Sequence, residues 1–188
     1  MVKNYNEVLH AHAAMETECL ILRKHRIEDA ADVLEMGSDA QTLENLLWEG
    51  CFTIEDANAT IYDSYWATPG TWAIVLKDGG KVIGAISLRL DHDCDKAKFG
   101  YVINRHYWGK GYATEALKAL LALCFEHLHL NRVESNHFDG NEVSGRVMQK
   151  ADMKPEGRRA QSEKVKGILR DNIHYGITKS DYFAHTCL

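Results

Sequence analysis

The run Trp108-Gly109-Lys110-Gly111-Tyr112-Ala113-Thr114 places two glycines one residue apart, where an apolar strand-like stretch gives way to a strong helix former. The start of a helix leaves backbone N–H groups without intrahelical partners and carries partial positive charge. Where the chain entering it lacks side-chain bulk, those N–H groups can meet an anion directly. Gly109 and Gly111 therefore point to a phosphate or pyrophosphate. Lys110 either adds charge there or faces solvent. The run is not a P-loop, which needs G-x-x-x-x-G-K-[ST]. Read as the dinucleotide fingerprint G-x-G-x-x-G, it has the first two glycines and Thr114 in the third place. Glu134 then falls about 20 residues on, roughly where a ribose-binding acid belongs. That fingerprint opens a series of strand–helix units, however, whereas this corner follows three consecutive strands. Coenzyme A is the third pyrophosphate that such a corner reads.

Other reactive residue types are fewer. Asn141 and Ser144 lie three apart at the start of a helical stretch and share a face. On residue type alone, Asn141 caps that helix and Ser144 is solvated. His10 and His12, His92 and Cys94, and His127 and His129 are each two apart. These are poor helical pairs without a third ligand, so no metal site is expected. The five cysteines (Cys19, Cys51, Cys94, Cys124, Cys187) show no C-x-x-C spacing and read as reduced thiols.

The elements that must position the corner follow from periodicity. Residues 19–25 read as a strand, and 27–38, 39–48 and 54–65 as helices, the last capped by Thr53. Strands at 71–77, 81–91 and 96–104 form a meander, with Asp78-Gly79-Gly80 as the first turn. The glycine corner then opens a helix over 110–128, with Ala113, Ala116, Leu117, Leu120, Cys124 and Phe125 on one face. A strand at 131–138, a helix at 140–151 with Val143, Val147 and Met148 inward, and a hairpin at 153–165 and 168–180 complete the chain. The strand–helix–strand unit implies a parallel pair inside an otherwise antiparallel sheet, a mixed α+β layout. Trp48, Tyr65, Trp66 and Trp72 read as core or cleft wall, and Glu44, Glu49, Asp56 and Asp63 as solvated surface.

Length and composition bound the rest. With 188 residues, 45% of them hydrophobic, and no linker, repeat or composition shift, a single domain over 1–188 is expected. The net charge of −5 argues against nucleic acid, whose partners are basic. No apolar run reaches membrane-span length, and the N-terminal stretch lacks the apolar centre of a secretory signal, so the expectation is a cytoplasmic protein.

Four segments, in order, resemble the GNAT N-acetyltransferases, in particular their RimJ/RimL-like branch. "WGKGYATEAL" resembles motif A, Q/R-x-x-G-x-G/A, with Trp108 in the Q/R place. "CLILRKHRIEDAADVLEM" resembles the branch's opening strand and helix, "LNRVES" the strand after motif A, and "NEVSGRVMQKADMKPEG" its N-x-x-S helix. The likeness spans about residues 17–182. It implies a mostly antiparallel sheet with helices on both faces and a splayed parallel strand pair that takes acetyl-CoA. The pyrophosphate would lie on the N–H groups from Gly109 to Thr114. The pantetheine arm would lie along the backbone of Val102, Ile103 and Asn104, with the Asn141 side chain against it and the Ser144 hydroxyl near the thioester sulfur. The implied reaction is direct attack of a primary amine, a protein N-terminus or a small molecule, on the thioester, with Ser144 protonating the thiolate. Some members carry a basic Glu early in the strand before motif A, where this chain has Ala97. That leaves Glu134, His92, Asp93 and Glu115 as candidate bases, with Glu134 equally readable as a paired strand carboxylate. A non-catalytic acetyl-CoA-binding regulatory module is the alternative. Exposed sheet edges in this fold pair readily, so a homodimer fits the resemblance.

Overall fold

The structure, a computed structural model, describes residues 4–186; Cys187 lies outside them. The elements are α1 (Tyr5–Ala11), β1 (Ala14–Glu16), β2 (Leu20–Arg23), α2 (Ala30–Gly37), α3 (Ala40–Leu43), α4 (Ile54–Ala59), β3 (Thr71–Leu76), β4 (Val82–Asp91), β5 (Lys96–Ile103), α5 (Tyr112–Ala122), β6 (Arg132–Phe138), α6 (Glu142–Lys150), β7 (Lys154–Val165), β8 (Ile168–Thr178) and α7 (Lys179–Thr186). The strands hydrogen-bond in the order β1-β2-β3-β4-β5-β6-β8-β7, mostly antiparallel, with β5 and β6 parallel. The mixed α+β sheet expected from the strand–helix–strand unit is therefore present. No helix among the described residues is long and apolar enough to cross a membrane. The described cysteines Cys19, Cys51, Cys94 and Cys124 are free thiols.

Contacts divide the chain into two compact units, Met1–Leu88 with Gly100–Ala119, and Arg89–Phe99 with Leu120–Leu188. In the first, β2 and β3 pair antiparallel from Leu20↔Leu76 to Arg23↔Ala73. The residues Ala73, Val75 and Val82 pack with Ile21 on one side of this sheet. The helices supply a separate core of Ala30, Val33, Cys51, Ala57 and Ile61, against which Leu34, Trp48 and Tyr65 pack. Thr53 caps α4 by accepting from Asp56 N–H at 3.1 Å, while Asp56 accepts from Thr53 N–H at 3.0 Å. Asp56 is exposed, as read, and its carboxylate also caps the helix. Trp72 is buried and donates to His12 O at 3.0 Å.

In the second unit, β6 pairs antiparallel with β8 from Arg132↔Thr178 to Phe138↔Asn172, and β8 with β7. The helix α6 lies over one face of this sheet. A Cβ on Gly145 would stand 2.8 Å from His137 Nε2 and 3.1 Å from Tyr175 OH, so only glycine admits the helix this close. Strand alternation then sends Glu134, Asn136 and His174 to the other face.

Several expectations are corrected. The helix read over 39–48 stops at Leu43. The chain turns there because Cys51 N–H must reach Gly37 O, at 3.0 Å. Gly50 approaches so closely that a Cβ would lie 2.3 Å from that same carbonyl. The strand read to 180 ends at Thr178, where Thr178 and Asp181 form a reciprocal cap for α7. Val143 is 53% exposed rather than inward, while Met148 is buried as read.

His25 is buried, with neither ring nitrogen hydrogen-bonded. Its ring stacks on Tyr65 at 4.0 Å, and its carbonyl accepts from Trp66 Nε1–H at 2.8 Å. Burial pushes its pKa from 6.5 down to about 4, against the pull of Asp29 and with help from Arg23 and Lys24. The folded state thus binds this proton more weakly than the unfolded one. The stability from burying the neutral ring is present above pH 6.5 and is lost as pH falls toward 4. Urea unfolding at pH 7.5 and pH 5 should show a loss of stability about 2 kcal/mol larger in the parent chain than in His25→Phe. Equal losses in the two proteins would exclude this role for His25.

Candidate active site

The strand β5 ends in a residue that is held on three sides. Asn104 is completely buried. Its backbone N–H donates to Ile83 O at 2.8 Å, its Nδ2 donates to Glu35 Oε1 at 2.8 Å, and its Oδ1 accepts from His106 N–H at 3.1 Å. Glu35 and Asp32 share Lys81, at 2.9 and 2.7 Å. The ammonium of Lys81, followed by the Asn104 amide, holds the Glu35 carboxyl below the usual carboxylate range. One residue on, Arg105 N–H donates to Thr42 Oγ1 at 3.1 Å, and its guanidinium pairs with Asp39 at 3.3 Å.

These bonds fix which backbone groups of β5 are occupied. Asn104 N–H faces β4, and so does Val102 O, which would stand 2.3 Å from a Cβ on Gly84. By alternation, the N–H and C=O groups of Tyr101 and Ile103 face away from β4. The Ile103 carbonyl is taken by Trp108 Nε1–H at 2.7 Å. Trp108, in the Q/R place of motif A, thus folds back onto the strand end while its ring stays 47% exposed.

The corner itself needs glycine for its backbone. Gly109 has φ +76° and Gly111 has φ +88°, left-handed values that cost a residue with a Cβ about 1–2 kcal/mol. Nothing lies within 4 Å of where a Cβ would stand on either. The first bond of α5 runs from Glu115 N–H to Gly111 O at 3.0 Å. The N–H groups of Gly111, Tyr112, Ala113 and Thr114 thus have no partner within the helix. Lys110 rests its ammonium 5.1 Å from the centre of the Tyr107 ring, so its charge stays beside the corner. The Glu115 carboxylate accepts from Thr17 Oγ1–H at 2.5 Å and Cys19 N–H at 2.7 Å, which commits it to the turn between β1 and β2.

In the second unit, the parallel ladder of β5 and β6 runs from Lys96↔Arg132 to Lys98↔Glu134. The next bond comes from a side chain, Ser135 Oγ donating to Phe99 O at 2.7 Å. Asn141 occupies the N-cap position of α6, yet its side chain makes no capping bond, so the simple capping role fails. Ser144, half-buried, follows in the first turn, its N–H donating to Asn141 O at 3.1 Å. Glu134 is half-exposed and paired with Arg132 at 3.0 Å and Lys96 at 3.6 Å. It points to the sheet face opposite α6, so it and Ser144 belong to different faces. Ala97 is buried, and His92 and Asp93 sit in the turn between β4 and β5.

Residue types alone did not single out the charged side chains that surround Glu134. Arg132 also binds Glu156, Nη1 to Oε1 at 2.8 Å, and Lys98 and His174 line the same hollow. The polar alternation of 154–159 and 170–176 was the available signal, since residues two apart on a strand share a face.

The chain matches the family profile described as "Acetyltransferase (GNAT) domain" over residues 20–154. The uncharacterized N-acetyltransferase YnaD of Bacillus subtilis (strain 168) is 32% identical over 166 residues, covering 88% of this chain and 97% of that protein. YdaF of the same strain, whose name provisionally makes it a ribosomal N-acetyltransferase, is 36% identical over 104 residues, 55% of this chain and 57% of YdaF. A GNAT-family acetyltransferase from Bacillus anthracis superposes with a TM-score of 0.81 at 27% identity, over 89% of this chain and 99% of that one. The profile covers 135 of the 188 residues, including the strand, the glycine corner and the helix after it, and the chain belongs to the GNAT family of acetyltransferases.

Proposed function

We propose that the protein transfers the acetyl group of acetyl-CoA to a primary amine, a peptide N-terminus or a small-molecule amine, by direct attack on the thioester. The observation that carries this reading is the corner at Gly109–Thr114, where two glycines with nothing within 4 Å of a Cβ precede helix N–H groups that have no partner within the helix. The pyrophosphate of the substrate lies against these groups and Lys110. The pantetheine arm runs along Val102, Ile103 and Asn104. There the outward N–H of Ile103 meets an amide of the arm, while Asn104 fixes the strand end. The Asn141 side chain, released from capping, contacts the arm. Likeness to YdaF supports a RimJ/RimL-like acceptor, a protein N-terminus.

The chemistry needs a neutral amine, a polarised carbonyl and a proton for the leaving thiolate. In this reading a backbone N–H of β5 polarises the carbonyl. As the amine nitrogen bonds to the acetyl carbon and the C–S bond breaks, Ser144 gives its proton to the thiolate. The ammonium proton passes through water and restores the Ser144 hydroxyl, while Glu134 stays with Arg132 and Lys96 on the other sheet face. A non-catalytic acetyl-CoA-binding module remains the second reading, favoured by the buried Ala97 and by the ion pairs that hold Glu134. Thiol release with a panel of amines and N-terminal peptides separates the two. Binding without turnover across that panel selects the module.

Calorimetry should show saturable acetyl-CoA binding, and Gly111→Val should abolish most of it while circular dichroism still reports a folded protein. No binding at millimolar acetyl-CoA would refute the proposal. In Ser144→Ala, kcat should fall about 10²-fold with acetyl-CoA affinity nearly intact, because general-acid help acts in the transition state. A raised KM for acetyl-CoA with unchanged kcat would make Ser144 a positioning residue instead, and no change in either would remove it from the mechanism.

A further inference from the structure

A cavity of about 540 Å³ opens on the second unit, on the sheet face opposite α6. Its walls carry Lys98 from β5, Arg132 and Glu134 from β6, Glu156 and Arg159 from β7, and His174 from β8. A glycine makes the space. A Cβ on Gly176 would stand 2.3 Å from Arg132 Nη2 and 2.5 Å from Glu156 Oε1, so any other residue would displace the ion pair that floors the cavity.

The charges are unevenly matched. Arg132 binds both carboxylates, Glu134 at 3.0 Å and Glu156 at 2.8 Å, and Lys96 adds a second cation to Glu134 at 3.6 Å. Arg158, also on the wall, is bound to Asp171. Among the described residues, Lys98 and Arg159 make no ion pair with any carboxylate. Beside them the Nε2 atom of His174 is buried with no hydrogen-bond partner. Two uncommitted cations and an unsatisfied ring nitrogen thus share one hollow whose carboxylates are already neutralised. A buried polar atom without a partner is costly, and a ligand that pairs with it recovers that cost.

We propose that this cavity is an anion subsite, holding a phosphate or carboxylate group between Lys98, Arg159 and the Nε2 atom of His174. The ligand is a small molecule bearing such a group. An arriving anion pairs with both cations and accepts a hydrogen bond from the protonated ring. Without it, burial, then Arg159 and then Lys98 push the His174 pKa down, against Glu134 and Glu156. Anion binding therefore favours the imidazolium and raises that pKa. The subsite stands independently of acetyl transfer, so its test reads binding alone.

The His174 ring resonances of the full chain, assigned by their loss in His174→Gln, are titrated with pH. The titration is repeated in sodium chloride, sodium acetate and sodium phosphate at equal ionic strength. Phosphate, acetate or both should raise the His174 pKa by about one unit over chloride, saturably. By linkage, this corresponds to roughly tenfold tighter anion binding to the protonated ring. A response to phosphate alone identifies a phosphate ligand, and a response to acetate alone a carboxylate. The double variant Lys98→Gln, Arg159→Gln, confirmed as folded by circular dichroism, should lose the response. An unchanged pKa in all three salts, or an equal response in the double variant, would overturn the subsite.

Discussion

The buried amide of Asn104 is the joint on which the candidate site depends. Its side chain pairs one carboxylate oxygen of Glu35 and one backbone N–H of the following turn, and its own N–H closes the ladder to Ile83. Each of these groups, left buried and unpaired, would cost about 1–3 kcal/mol, so the arrangement is satisfied together or not at all. The glycine corner begins five residues later. Gly109 and Gly111 have the widest backbone freedom in that stretch, and by themselves they would define no fixed shape. Their position is set by what precedes them: the amide of Asn104, the N–H of Arg105 held by Thr42, and the indole of Trp108 folded onto Ile103. Rigid side chains thus place a segment whose useful property is the lack of them.

The same logic runs in reverse on the open sheet face of the second unit. There side chains do the differentiating. A bare sheet face with this many charges is tolerated because Arg132 reaches a carboxylate on its own strand and another on β7. Gly176, lying between them in the register, supplies the room. β7 bends to close the hollow through irregular register between Pro155 and Gly157 and again between Arg159 and Glu163. Bulges of this kind re-aim side chains near functional surfaces.

Local patterns in the sequence carried most of the fold. The two-glycine corner, the meander before it and the parallel pair around α5 were legible because turn residues and periodicity agree there. Thr53 announced the cap of α4 for the same reason. The shortened α3 was not legible. Leu46, Leu47 and Trp48 continue a helical spacing, but the pull of Gly37 O on Cys51 N–H, a contact distant in sequence, overrides it. The terminal helices carry signals that went unread: Asn4 accepts from Glu7 N–H at 3.4 Å, and Thr178 with Asp181 forms a reciprocal cap. In the site, the glycines and the N-x-x-S pair were visible as motifs. The pairing of Glu134 was readable too, since Arg132 stands two residues before it on the same strand face, whereas the state of Asn141, at the cap position without capping, was not.

The glycine corner and the charged hollow also differ in what holds them. The corner is a matter of backbone: helix N–H groups without partners in the helix and positive φ at two glycines. Such features accept any side chains that preserve the path, and they say nothing about the second substrate. The hollow on the second unit is a matter of side chains, the cations and the histidine above β6 and β8 and the guanidinium that pairs with their neighbouring carboxylates. They lie on strands, where a substitution alters the charge of the face without altering the fold. A substitution in the hollow therefore changes charge alone, while one at Gly109 or Gly111 meets the left-handed backbone, with the buried amide of Asn104 behind it.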